Sequence, residues 1–289
     1  MTGLFRKNKI CQSTGCEIKQ SPLHGQGVFA LKGFRKGDIL ETSPVILLPA
    51  AEKEFLECTS LFRYYFLVGS AETPVALGLG YSSLYNHSYK ANALYTISLH
   101  DLTITIRASK PIFPGEEITL NYNGSPDDGS PVYFPEESRV SAGMDGTSVP
   151  DGRAIIRTEK ELYVKETRNK GRGVFCKTRI TRDDLIEVSP ILVLPAEDHD
   201  TVHATRLADY FFHFNKEERT MALSLGFGSL YNHAKGSNAA YFLTKDNRTI
   251  TYYAVEDIEA GQEICINYSG EPGNDFPEWF ESRQLAICS

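Results

Sequence analysis

Hydrophobic and polar residues alternate in short runs along this chain, and glycine or proline breaks the runs at close intervals. The alternation Thr103-Ile104-Thr105-Ile106, met again as Thr249-Ile250-Thr251-Tyr252, predicts strands with one buried face, since successive side chains of a strand point to opposite sides. A β-rich stretch is expected from Val28 through Ile39-Leu40 to Ile46-Leu48, followed by short strands at 75–79, 93–99, 103–108 and 117–120. One segment reads differently. Between positions 51 and 66, Phe55, Leu56, Leu61, Phe62 and Tyr65 fall roughly on one side of a helix. Leu207, Tyr210, Phe211 and Phe214 have similar spacing. No long helical pattern alternates with the strands, which argues against a doubly wound dinucleotide fold. The expectation is a mainly β chain with few short helices.

The pattern occurs twice. Gly25-Gln26-Gly27-Val28-Phe29 returns as Gly171-Arg172-Gly173-Val174-Phe175, Leu84-Tyr85-Asn86-His87 as Leu230-Tyr231-Asn232-His233, and Gly115-Glu116-Glu117-Ile118 as Gly261-Gln262-Glu263-Ile264. The offset is 146 residues each time, and 39 of the 100 positions in 25–124 are identical to their equivalents without a gap. Such a period is too long for a solenoid and indicates a duplicated domain. Residues 125–152 are rich in Gly, Pro, Ser and Asp, as linkers and extended loops are. Tyr133 and Phe134 within them align with Trp279 and Phe280, so the first domain is expected to span 1–135, a linker 136–152, and the second domain 153–289.

The 289 residues suit two domains, and 41% hydrophobic residues supply a core for each. A net charge of -7 argues against a protein held to nucleic acid by phosphate neutralisation. The longest apolar run, at 45–51, is interrupted by Pro49 and falls far short of the ~20 residues of a membrane helix. No secretory signal is read at the N-terminus. Six cysteines, at 11, 16, 58, 176, 265 and 288, form no paired metal-ligand pattern and suggest free thiols in a reducing compartment, the cytoplasm or, in a eukaryote, the nucleus.

Taken singly the motifs are weak: a glycine pair before a strand is usually a turn, and an Asn-His pair in a loop is usually a local hydrogen-bonding device. Their order and double occurrence say more. Gly-x-Gly-Val-Phe, then Asn-His-x-x-x-x-Asn-Ala, then Gly-x-Glu-Ile-x-x-Asn-Tyr resembles the SET domain, over nearly all of 24–124 and 170–270. Ala76-Leu77-Gly78-Leu79-Gly80 and Asp209-Tyr210-Phe211-Phe212 look like the compact viral and bacterial members.

The resemblance implies small β-sheets closed by a pseudoknot (a β-clip fold), in which the segment ending in a tyrosine passes under a loop. It implies S-adenosylmethionine (AdoMet) as cofactor and the ε-amine of lysine in a protein as substrate. Tyr122 and Tyr268 match the catalytic tyrosine, and Tyr95 and Tyr241 a second tyrosine lining the lysine channel. Gly25, Gln26, Gly27, Asn86 and His87 match cofactor-binding positions in the first copy, as do Gly171, Arg172, Gly173, Asn232 and His233 in the second. Trp279 and Phe280 resemble an aromatic flap, with Tyr133 and Phe134 as the first copy's version. Some compact members are homodimers, so the duplicated chain is expected to be a monomer docked as an internal pseudo-dimer. No metal, nucleic acid or membrane partner is expected.

The residue types suit the chemistry. Methyl transfer to an amine is an in-line displacement for which alignment and exclusion of water suffice. The amine must be neutral, and desolvation in an aromatic channel favours that form of a lysine whose ordinary pKa is about 10.4. Two other readings stay open on sequence alone: a non-catalytic module that grips a lysine-bearing partner, and an AdoMet enzyme acting on a small-molecule amine. His87 and His233 fit a structural role pinning the knot as well as a cofactor contact, and Glu117 and Glu263 fit a role in holding the fold.

Overall fold

The computed structural model describes residues 15–69, 73–132, 157–158, 160–245, 248–270 and 272–273. The first half runs β1 (Cys16–Gln20), β2 (Gln26–Ala30), β3 (Ile39–Leu48), helix α1 (Lys53–Glu57), β4 (Tyr65–Leu67), β5 (Val75–Gly78), β6 (Asn86–His87), β7 (Ala93–Ser98), β8 (Thr103–Ala108) and β9 (Glu117–Leu120). The second repeats it as β10 (Arg157–Thr158), β11 (Leu162–Glu166), β12 (Arg172–Cys176), β13 (Leu185–Leu194), α2 (His199–His203), β14 (Phe211–Asn215), β15 (Thr220–Ser224), β16 (Asn232–His233), β17 (Ala239–Thr244), β18 (Thr249–Ala254) and β19 (Glu263–Ile266). The expected linker at 136–152 lies outside the described residues, as do Tyr133, Phe134, Trp279 and Phe280.

Each half builds two sheets. In the first they are ordered β1-β2-β9-β6 and β4-β5-β3-β8-β7, in the second β11-β12-β19-β16 and β14-β15-β13-β18-β17, with β10 added to β13. The part of the expected β-rich stretch from Ile39 to Leu48 is one long strand, β3. Its first part, to Pro44, pairs with β8, and its last part, from Val45, pairs with β5. Pro44 has no N–H to give a ladder, and it sits where the partner changes. Its carbonyl accepts from the Leu79 N–H at 2.9 Å. Alternation does bury one face of β8, with Ile104 and Ile106 at 0% exposure.

The helix expected over 51–66 is broken. A 3₁₀ turn (Ala50–Glu52) leads into five residues of α-helix, a second 3₁₀ turn covers Ser60–Arg63, and Tyr65–Leu67 is a strand. Thr59 causes the break: its hydroxyl donates to the Leu56 carbonyl at 2.9 Å and accepts from the Leu61 N–H at 3.3 Å, offering the backbone a turn in place of a helix. Thr205 does the same in the second half, so Tyr210, Phe211 and Phe214 are not on a helix either.

The halves dock about a pseudo-two-fold relation. The Ser60 N–H donates to Asp198 Oδ2 at 2.8 Å, and the Arg206 N–H donates to Glu52 Oε2 at 3.2 Å, which is the same pair of positions exchanged between copies. The short helices α1 and α2 meet there. The Gly226 N–H bonds to the Leu79 carbonyl nearby. Buried residues of both halves form one apolar cluster. Among the described residues no helix is long and apolar enough to cross a membrane. Cys16, Cys58, Cys176 and Cys265 are free thiols.

One buried carboxyl in this core gives a measurable signature. Glu41 is 1% exposed. Burial pushes its carboxyl up to about 7, against the lowering effect of bonds from the Tyr81 and Ser82 main chain and the Ser43 hydroxyl. The folded chain therefore keeps a proton that the unfolded chain releases near pH 4.5, so stability falls as pH rises between about 4.5 and 7. The difference is about 3 kcal/mol. Urea unfolding of the native chain and Glu41→Gln at pH 5 and pH 8 checks this. The substitution is expected to remove that part of the pH dependence.

Candidate active site

The turn after β1 is closed by the Ser21 N–H donating to the Gly25 carbonyl at 2.8 Å. Gly25 has φ +48° and Gly171 φ +68°, a left-handed conformation that favours glycine. A side chain at either would meet nothing within 4 Å, so the outer face of each turn is open. The second glycine faces inward. A Cβ on Gly27 would overlap Glu117 Oε1 and lie 3.0 Å from Asn86 Nδ2, and one on Gly173 would overlap Glu263 Oε1.

The asparagines tie this turn to the knot. Asn86 Nδ2 donates to the carbonyls of His24 and Gln26, both at 3.0 Å, and to Glu117 Oε1 at 2.8 Å. Asn232 Nδ2 donates to the Arg172 carbonyl at 3.1 Å and to Glu263 Oε1 at 2.7 Å. The sequence reading assigned these asparagines to cofactor. Their amide N–H groups are spent on protein, on the carbonyls of the part-buried turn and on the Glu117 and Glu263 carboxylates. Glu117 and Glu263, the first residues of β9 and β19, hold the fold, the role expected for them. Asn92 and Asn238 also clip that strand. Asn92 donates to the Glu117 carbonyl and accepts from the Thr119 N–H, both at 2.8 Å, and Asn238 repeats the pair on Glu263 and Cys265.

The knot itself is a parallel pairing of β6 with β9, Asn86 opposite Thr119 and His87 opposite Leu120, repeated by β16 and β19. It delivers the tyrosine directly after the last strand. The Tyr122 N–H donates to His87 Nδ1 at 3.1 Å, and the Tyr268 N–H to His233 Nδ1 at 3.0 Å. Nδ1 accepts, so each imidazole is neutral with its proton on Nε2. Burial lowers both, His233 to about 4. Of the two roles weighed for these histidines, pinning the knot is the one the hydrogen bonds display.

The tyrosine hydroxyls are fixed. Tyr122 Oη donates to the Tyr85 carbonyl at 2.7 Å, and Tyr268 Oη to the Tyr231 carbonyl at 2.9 Å. Desolvation pushes both phenols far above the usual tyrosine range, at Tyr122 through its hydroxyl end, since the residue as a whole is 38% exposed; Tyr64 and Glu117 raise Tyr122 further, and Cys265, Asp209, Tyr210 and Tyr241 raise Tyr268. They stay protonated. With the proton committed to a carbonyl, the oxygen can act toward a ligand only as an acceptor.

Tyr95 packs edge-on against Phe66 at 4.9 Å, and its hydroxyl lies beside Gly124, just past Tyr122. Tyr241 packs on Phe212 at 5.1 Å. The wall around each tyrosine thus includes Tyr64 and Phe66, or Tyr210 and Phe212. The sequence reading did not assign these four to the site, because it placed their segments on helices. Their identity at equivalent positions in the two copies was the available signal. Gln26 lies at the turn by its main chain, through the carbonyl that Asn86 holds. The Arg172 carbonyl is likewise at the turn, held by Asn232, while its guanidinium leaves the turn and donates to the Val45 carbonyl of the first half at 2.7 Å.

Residues 25–123 and 171–269 both match the SET domain family. The histone-lysine N-methyltransferase specific for lysine 37 of histone H3 from Schizosaccharomyces pombe is 34% identical over 133 residues, covering 45% of this chain and 82% of its own. A Plasmodium falciparum protein provisionally described as a histone methyltransferase shares 26% identity over 42% of this chain and 98% of its own, with a TM-score of 0.33. The Neurospora histone lysine methyltransferase DIM-5 shares 19% identity over 42% of this chain and 56% of its own, also with a TM-score of 0.33.

Proposed function

Because this chain belongs to the SET domain family through both of its halves, we propose that it transfers methyl groups from AdoMet to the ε-amine of lysine in a protein, with histone H3 as the first substrate to test. The observation that carries the reading is the doubled arrangement of a protonated tyrosine, its hydroxyl anchored on a carbonyl, among aromatic side chains next to an open glycine turn.

The residues fit AdoMet. The outer faces of Gly25 and Gly171 offer main chain to a ligand without steric obstruction, and His87 and His233, which follow the asparagines that hold the turn, hold the main chain of the tyrosine. Gly25, Gln26, Gly27, His87 and their equivalents, together with the Asn86 and Asn232 side chains that shape the turn, would hold it. Bound there, AdoMet supplies an electrophilic methyl on a sulfonium. The chain's own part is positioning. Tyr64, Phe66 and Tyr95, or Tyr210, Phe212 and Tyr241, keep water from the amine and favour its neutral form. Tyr122 or Tyr268 accepts an N–H of that amine and aims its lone pair, which selects the reactive geometry. Neither phenol serves as a base at neutral pH, since burial holds the proton on it. The amine loses its proton to water before it is enclosed.

Incubation of the full chain with labelled AdoMet and purified histones, with bovine albumin and free lysine as controls, tests this. Label is expected on H3 and lost when the target lysine is replaced by arginine. Label on free lysine alone would favour the small-amine reading. AdoMet binding by calorimetry without transfer to any protein would favour the binding-module reading.

A further inference from the structure

The two halves are not equivalent at the glycine turn. The middle position is Gln26 in one and Arg172 in the other. Among the described residues Gln26 makes no hydrogen bond to the other half, whereas the Arg172 guanidinium crosses to the Val45 carbonyl at 2.7 Å. Val45 is where β3 changes partner, and its own N–H is held by the Leu102 carbonyl at 2.9 Å, so the acceptor is rigid. Around the crossing is a cleft of about 100 Å³, between Pro44 and the 100–103 turn of the first half and residues 164–166 of the second.

The guanidinium has a second neighbour. It lies beside the Tyr210 phenol and near the Glu166 carboxylate, which favour its charge while burial opposes it. Tyr210 in turn acts electrostatically on Tyr268, raising its phenol. The Arg172 carbonyl is held by Asn232, which also holds Glu263. One residue therefore joins the glycine turn, the aromatic wall and the other half of the molecule.

We infer that Arg172 is a positioning residue of the second centre, which fixes that centre's cofactor turn and Tyr210 wall against the first half, so that the second centre depends on docking and the first does not. The inference rests on the methyltransferase reading for its consequence in catalysis, though the brace itself is a property of the fold. A planar cation with several N–H groups can hold a carbonyl while lying against a phenol; a glutamine is shorter and carries no charge. A loose turn weakens cofactor binding before it affects chemistry.

The test uses the full chain with one centre silenced. Tyr122→Phe leaves the second centre and Tyr268→Phe the first. Adding Arg172→Gln to Tyr122→Phe is expected to lower kcat/KM for AdoMet by about 30-fold, mainly through KM, with Arg172→Lys recovering part of it. Hydrogen exchange of native chain and Arg172→Gln supplies a readout without cofactor, and amides of 167–173 are expected to exchange at least about tenfold faster in the variant. A loss of the same size in the Tyr268→Phe background, or unchanged exchange at 167–173, would overturn the inference. If the native chain transfers no methyl at all, the methyltransferase reading fails, and the exchange result alone still decides whether the brace exists.

Discussion

Replacing both Tyr122 and Tyr268 by phenylalanine is expected to lower methyl transfer to protein by at least about 10²-fold while the chain stays folded, and each single replacement to silence its own half. The size follows from what the hydroxyl does. It donates to a main-chain carbonyl, at 2.7 Å in one copy and 2.9 Å in the other, and in the proposed mechanism accepts from the amine. A lost positioning contact of about 2–3 kcal/mol costs ~30- to 150-fold at each centre, and misalignment adds to it. The cost to folding is smaller. Phenylalanine keeps the ring against His87 or His233, at centroid distances of 5.2 and 5.1 Å, and strands one carbonyl, Tyr85 or Tyr231. Initial rates with labelled AdoMet, beside thermal unfolding of the same samples, separate the two effects. Full activity in a folded double variant would remove both tyrosines from the mechanism. Loss of activity together with loss of fold would show that the hydroxyls serve the knot.

Much of this site could be read before the fold was known, for a particular reason. The motifs around Gly25, Asn86 and Tyr122 are local, and they occur again at 171, 232 and 268, so order and spacing were visible twice over. The strands were legible where one face is buried, as in β8. The helix was misread because a 3.6-residue pattern of apolar residues does not register a threonine hydroxyl bonding to its own backbone. Phe55, counted on the apolar side, is 43% exposed. That error concealed Tyr64 and Phe66, which belong to strand or turn and face Tyr95 and Tyr122. The path of Arg172 was not legible at all. It depends on how two domains 146 residues apart in sequence dock, and nothing local to Gly171-Arg172-Gly173 specifies that.

The inward glycine supports the second large effect. Gly27→Ala or Gly173→Ala is expected to destabilise the chain by about 3 kcal/mol, whereas Gly25→Ala or Gly171→Ala costs about 1. The outward glycines need only their positive φ, and there is open space for a methyl. At the inward position the new Cβ would displace Glu117 Oε1 or Glu263 Oε1. A carboxylate at the end of a flexible side chain could usually swing aside. Here it cannot do so without loss, since Glu117 accepts from Ser21 Oγ and Asn86 Nδ2, all at 2.8 Å, and Glu263 accepts from Asn232 Nδ2 at 2.7 Å. Moving it breaks charge-assisted bonds, and in the second copy it also leaves one N–H of the buried Asn232 amide short of a partner, at about 1–3 kcal/mol for each group. Urea unfolding of the four single variants checks the ordering. AdoMet binding measured by calorimetry is expected to fall in all four variants, through the displaced carboxylate at 27 and 173 and through a methyl on the ligand-facing side of the turn at 25 and 171. If alanine is tolerated equally at 25 and 27, the Glu117–Asn86 contact does not constrain the turn, and the account of why this motif carries two glycines is wrong.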